Sequence, residues 1–287
     1  MSFSKAAFSY KLLSWLCVHT PDKLLKIILP PIASVYKKFD LTHSKFVRNN
    51  LKVISEHTGR DCLYLEKEVY LNFAMFMVEF FRVGSQSSVI PSKETKDKIV
   101  KELGQPGEKA NLILVGHYGN WEVALQHLLG VGYSVTTVVM NHSDKKVDEF
   151  FLKMRYQKNI RVSYLDQGLR SCIKAIKKKE VIALACERDY TGNGVPVNIA
   201  GREVFFPVGP AWLISKYSPD TYLGIYKRLA LGEFDKSLQK LEFDEKESDL
   251  NRISQTISDN LFEHIYKNPA QWITFDDFFK TTKNEEQ

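Results

Sequence analysis

One stretch of this chain concentrates groups that could do chemistry. Leu112 to Glu122 reads LILVGHYGNWE, so a histidine, His117, stands five positions before a carboxylate, Glu122, with glycine and asparagine between them. That spacing is awkward on one continuous helix and easy when a tight turn folds the histidine back over the start of a helix. The carboxylate can then hold one imidazole nitrogen. An imidazole held that way keeps one tautomer and gains basicity at the other nitrogen, which equips it to take a proton from an attacking hydroxyl or amine. The same spacing also fits a turn histidine followed by a glutamate that only complements the helix dipole.

Positioning such a pair calls for a strand that ends at the histidine and a helix that begins beside the glutamate. Asn111 to Val115 reads as a buried strand, Asn120 as the N-cap, and Trp121 to Leu129 as a helix closed by Gly130. His117 then lies at the carboxyl end of a strand, the edge where ligands bind in open α/β sheets. The pattern repeats downstream: strands at Ser134 to Met140 and Val181 to Cys186, helices at Val147 to Lys158 and Ser171 to Lys179. Glycines and prolines in 187–210 predict a long functional loop with a β excursion. Residues 8–82 read as mostly helical, with breaks at Pro21, at Pro30 and Pro31, and near Gly59; Lys93 to Leu103 reads as a helix ending at Gly104. The expected fold class is α/β, a mixed and mostly parallel sheet flanked by helices, with a helical N-terminal membrane-associating region. Residues 1–105 form that region, packed on a core of 106–287.

Composition narrows the partners. The 287 residues are 44% hydrophobic and 26% charged, ordinary for a folded chain. Four scattered cysteines without a CxxC suggest neither zinc nor a disulfide framework and suit a reducing cytosol. A net charge of +6 favours an anionic membrane face, an acidic protein or a phosphorylated substrate. Residues 1–35 do not read as a signal peptide, and the charge-free runs there fall short of the roughly 20 apolar residues a spanning helix needs. Leu12, Leu13, Trp15, Leu16, Leu24, Leu25, Ile27, Ile28 and Leu29, edged by Lys11, Lys23 and Lys26, could lie in a lipid interface or dock on the body of the protein. No phosphate-cradling glycine loop or base-stacking motif points to a nucleotide or nucleic acid.

HYGNWE closely resembles the signature of the bacterial lipid A biosynthesis lauroyl/myristoyl acyltransferase family, whose histidine and acidic residue form the catalytic pair. Val69 to Phe81 (VYLNFAMFMVEFF), Phe46 to Leu51 (FVRNNL) and Tyr164 to Glu180 (YLDQGLRSCIKAIKKKE) are similar to further family elements. So are Glu187 to Gly192 (ERDYTG), Phe206 to Ala211 (FPVGPA) and Asn268 to Phe275 (NPAQWITF), all in the family's order. The resemblance implies an O-acyltransferase with His117 as general base and Glu122 as its partner. Arg155, in KMRYQKN, matches an arginine near the family's active centre, and Asp189 matches its aspartate. Arg188 stands where histidine or glutamine often occurs and could bind phosphate or the acyl carbonyl; Asn120 joins the substrate-binding set.

The implied reaction is acyl transfer to a hydroxyl of a lipid or glycolipid at the cytoplasmic face of the inner membrane, with peripheral anchoring. The donor is an acyl carrier protein or coenzyme A thioester, a co-substrate with no cofactor and no metal. Arg170, Lys174, Lys177, Lys178 and Lys179 could receive an acidic carrier or form a solvated helix face. The chain departs from the family pattern at Val208, where threonine is usual. It departs again after Trp272, where an aromatic and a His-Arg pair give way to Ile273, Thr274, Phe275, Asp276 and Asp277. Those changes leave room for a secondary metabolite or an amino-acid lipid as acceptor, or for a non-catalytic lipid-binding relative.

Overall fold

A computed structural model describes residues 5–85, 91–155, 159–244 and 247–280. Four helices lead: α1 (Lys5–His19), α2 (Asp22–Phe39), α3 (Leu41–Thr58) and α4 (Glu66–Ser85). Pro21 is the N-cap of α2, and Gly59, at φ 67°, closes α3 in the left-handed region that glycine adopts without a Cβ clash. The expected break at Pro30 and Pro31 is absent: both lie inside α2. Proline in a helix interior costs about 3 kcal/mol. Here Leu25, Leu29 and Ala33 recur every fourth residue, all buried, and carry the apolar stripe across the prolines. Packing outweighs propensity.

The sheet is α/β as expected, with six strands ordered β3-β2-β4-β1-β7-β8. In chain order these are β1 (Asn111–Val115), β2 (Val135–Val139), β3 (Ile160–Tyr164), β4 (Val181–Ala185), β7 (Asp220–Ala230) and β8 (Glu233–Leu241). All neighbours are parallel except the β7–β8 hairpin. Strand β1 is buried at every residue, as a central parallel strand covered on both faces must be. On one face Ile113, Val181 and Tyr222 meet Leu125 and Leu128 of α6 (Trp121–Val131) and Leu103 of α5 (Lys93–Leu103). On the other, Leu112, Leu114 and Ile182 meet α8 (Leu165–Lys177), α9 (Val208–Tyr217) and α10 (Leu250–Lys267) through Ala175, Leu213 and Ile257. Helix α7 (Lys145–Arg155) joins β2 to β3.

Some boundaries differ from expectation, those of α6 and α8 among them. Helix α6 runs to Val131 and closes on Gly132, at φ 111°, not on Gly130. Helix α8 starts at Leu165, six residues before Ser171, directly from the end of β3. The expected β excursion is the hairpin β5 (Val195–Ile199) and β6 (Arg202–Phe206). The end of the expected helix Val147 to Lys158, residues 156–158, lies outside the described residues. Among the described residues no helix is long and apolar enough to cross a membrane.

Candidate active site

Register brings the histidine its partner. Val115 of β1 lies opposite Ala185 of β4 in the parallel ladder, and Cys186 N–H donates to Val115 O at 3.0 Å. Two residues beyond each strand stand His117 and Glu187. The Glu187 Oε1 accepts from the His117 backbone N–H at 2.7 Å and sits 2.6 Å from Nδ1 of its ring. The Glu187 side chain is fully buried. Burial alone would raise its pKa, but the charge and hydrogen bonds of His117 and the Arg188 guanidinium outweigh that and bring it down to about 2. An ionised carboxylate must accept at Nδ1, so that nitrogen carries the proton and Nε2 presents its lone pair. The ring is partly exposed, leans edge-on against Trp121 at 4.7 Å between centroids, and faces a cavity.

Glu122 therefore does not hold the imidazole. It lies in the first turn of α6, and its Oε1 accepts from Arg155 Nε at 2.9 Å and Nη2 at 2.5 Å. The Arg155 guanidinium also stacks over Phe80, 5.3 Å from the ring centroid. Glu122 and Arg155 both line the cavity. Asn120 is the N-cap: its Oδ1 accepts from the N–H groups of Glu122 and Val123, both at 3.1 Å, and its Nδ2 donates to Glu79 at 2.6 Å. It is fully buried and does not line the cavity: its Oδ1 is spent on the start of α6 and its Nδ2 on Glu79 of α4. Its expected substrate contact gives way to a positioning role.

Behind the turn lies a buried network that sequence reading missed. Arg228 of β7 donates from Nε and Nη2 to Glu79 of α4 at 3.0 and 2.7 Å, from Nη1 to Asn72 at 2.9 Å, and from Nη2 to Gly119 O at 3.3 Å. Glu79 also accepts from Gly232 N–H at 3.0 Å. Gln271 pairs with both backbone groups of Arg228 at 2.7 Å, and Gly119 N–H donates to Gln271 O. Gly119 sits at φ 63°, where a Cβ would fall 1.9 Å from Tyr226 O, so only glycine fits. Ile273 N–H reaches His117 O at 2.7 Å. The NPAQWITF segment thus acts as a backbone splint for the histidine turn.

The cavity in front measures about 510 Å³ and runs from His117, Glu122 and Arg155 past Leu125, Val138 and Cys172 to Val208 and Leu213. Arg188 borders it, yet its Nη2 donates to Ile273 O at 2.9 Å and to the Thr274 hydroxyl, and its Nη1 meets Asp276 at 3.1 Å. Three residues of the segment after Trp272, Ile273, Thr274 and Asp276, therefore hold Arg188. Asp189 also borders the cavity and is occupied in its own loop, accepting from Thr191 N–H at 2.9 Å and Gly194 N–H at 2.6 Å. The aromatics of 73–81 do not line the cavity; Phe76 instead stacks on Trp121 at 4.3 Å.

Residues 4–281 match the family model described as bacterial lipid A biosynthesis acyltransferase. The chain belongs to this family. Among curated proteins, a phosphatidylinositol mannoside acyltransferase of Mycolicibacterium smegmatis is 26% identical over 167 residues, 56% of this chain and 54% of that protein. The like-named protein of Mycobacterium tuberculosis H37Rv is 26% identical over 168 residues, 56% of this chain and 52% of that one. The chain thus aligns with about half the length of these relatives. Within the family's order of elements, HYGNWE and ERDYTG are the two strand-end segments that meet in the His117–Glu187 contact. An acidic residue just past the end of an apolar strand was the signal for Glu187 in the sequence; what sequence could not supply was that this strand and the one before His117 are neighbours.

Proposed function

We propose that this chain is a lipid or glycolipid O-acyltransferase using an acyl carrier protein or coenzyme A thioester as donor. The observation that carries the reading is the Nδ1 contact of His117 with an ionised, buried Glu187, which leaves Nε2 facing a largely apolar cavity. Nε2 takes the proton of the acceptor hydroxyl as its oxygen attacks the thioester carbonyl carbon. The C–O bond forms, the tetrahedral adduct collapses with loss of the C–S bond, and the imidazolium returns the proton to the departing thiolate. Glu187 stabilises the imidazolium. Glu122 acts through Arg155, holding its guanidinium beside the cavity, where it can meet an oxyanion or a phosphate.

Membrane contact is part of the proposal. Phe8, Leu12 and Trp15 of α1 and Ile27, Ile32 and Val35 of α2 are all about half exposed or more, while Leu25 and Leu29 dock inward on the helical layer. An exposed apolar face with lysines along its edges suits an anionic bilayer surface and a peripheral, cytoplasmic-face location at the inner membrane. The exposed basic side of α8, with Arg170, Lys174 and Lys177, suits an acidic carrier protein. Radiolabelled acyl-thioester incubated with membrane lipids should yield labelled lipid with the native chain and none with His117→Ala. Undiminished transfer by that variant sinks the mechanism; thioester hydrolysis without lipid labelling sinks the acceptor class.

A further inference from the structure

A second cavity, of about 390 Å³, lies beside the first and shares Arg188, Asp189 and Tyr190 with it as a common wall. Glu187 borders this second cavity and not the one before His117. Its Oε1 is spent on the histidine, and its Oε2, buried as well, has no hydrogen-bond partner among the described residues. A buried carboxylate oxygen without a donor is costly to keep, and a ligand that brings one relieves the cost.

The lining of this cavity has a sign. Glu187, Asp189, Asp276 and Asp277 bring four carboxylates against two cations, Arg188 and Lys280. Arg188 is matched already, since its Nη2 is spent on Ile273 O and Thr274 and its Nη1 meets Asp276 at 3.1 Å. Asp189 is engaged by its own loop, so the carboxylates open to a ligand are Asp276, whose side chain is 65% exposed, and Asp277. Both aspartates are held in place. The buried Asn50 donates to Asp276 O at 2.8 Å and accepts from Phe278 N–H at 3.1 Å, and Asn49 donates to Asp277 Oδ2 at 3.3 Å. The rings of Tyr190, Phe205 and Phe278 complete the wall. Carboxylates set among aromatic faces attract a cation and repel an anion.

We propose that the second cavity seats a primary ammonium group on the headgroup of the acyl acceptor, while the acceptor's hydroxyl reaches His117 past the shared wall. The assignment rests on the acyl-transfer reading above and narrows it: the acceptor carries an amine on its head. A primary ammonium brings three N–H donors, which suit the bare oxygen of Glu187 and the carboxylate of Asp277. The carbon that bears it can lie against the aromatic rings. With a net charge of +6 the chain as a whole repels amines, so a preference for one has to arise locally.

Titration of the full chain with n-butylammonium, butyl phosphate and glucose at constant ionic strength, followed by ligand-observed NMR, tests this. Butylammonium should bind at least about tenfold more tightly than either of the others. Equal affinities, or a preference for the phosphate or the sugar, would overturn the proposal without recourse to any variant. Asp277→Asn keeps an oxygen for Asn49 and removes one charge, and Tyr190→Leu removes one ring; each should weaken butylammonium binding about tenfold. A preference that neither variant moves belongs elsewhere on the molecule and sinks the site. In the labelled-thioester assay butylammonium should compete with the lipid acceptor and not with the acyl donor, and binding without that competition refutes the acceptor assignment. A chain that binds butylammonium but transfers nothing keeps the ammonium site and loses the acyl-transfer reading, while one that transfers without any ammonium preference loses only the site.

Discussion

Two carboxylate–guanidinium pairs flank the histidine turn, and they have been given different work. Behind it, Glu79 and Arg228 are almost wholly buried, and their hydrogen bonds end on the protein's own turn, strand and splint. In front, Glu122 is buried but Arg155 keeps 19% of its side chain exposed, and both line the cavity. The same chemistry is scaffold where its bonding is saturated by protein and candidate machinery where it borders open space. Desolvating an ion pair is expensive, and good geometry with further hydrogen bonds has to offset it. The rear pair meets that condition through Asn72, Asn120, Gly119 and Gly232.

Predictions can break or sharpen this contrast. The largest effect belongs to the ring both pairs surround: His117→Ala should lower acyl transfer by about 10²–10⁴-fold with an unchanged melting curve, measured by labelled-thioester assay and circular dichroism. Next, Arg228→Met strands Glu79 in the interior and should cost about 3–5 kcal/mol in urea unfolding. Thermodynamic indifference there would show that the rear network is no scaffold. Arg155→Met should invert the pattern, with transfer reduced about 10²-fold and a stability loss less than half that of Arg228→Met. If the two variants behave alike, the distinction between front and rear fails.

The smallest effect concerns acid. Glu187 has its pKa depressed from the ordinary 4.5 to about 2 in the folded state. The folded form therefore holds fewer protons than the unfolded form between those values. Its contribution to stability is present above about pH 4.5 and is lost as the pH falls toward 2. Glu187→Gln should flatten the slope of melting temperature against pH across that window. A Gln variant with the native slope would mean the carboxylate is not held ionised by His117.

Much of the local structure was legible. The apolar run of β1, the Asn120 cap, the helix after it and the helix Lys93–Leu103 all arise from local propensity and periodicity, which act over a few residues. The prolines of α2 were misread because their penalty is local while the buried stripe that overrides it depends on tertiary packing. The β7–β8 hairpin and α10 went unread, although β7 supplies Arg228 and α10 covers the face of β1.

By itself the sequence determined that His117 stands at the end of an apolar strand, that Asn120 starts a helix beside it, and that Glu122 lies in that helix's first turn. Tertiary structure alone decided which carboxylate each basic group meets. His117 and Glu187 are 70 residues apart in the chain and become neighbours only because β4 pairs with β1 in parallel register. Glu122 and Arg155 are 33 apart and meet through the packing of α7 near the start of α6. Strand order and helix packing are set by the burial of whole faces, a property of the assembled layers that no short run of residues contains.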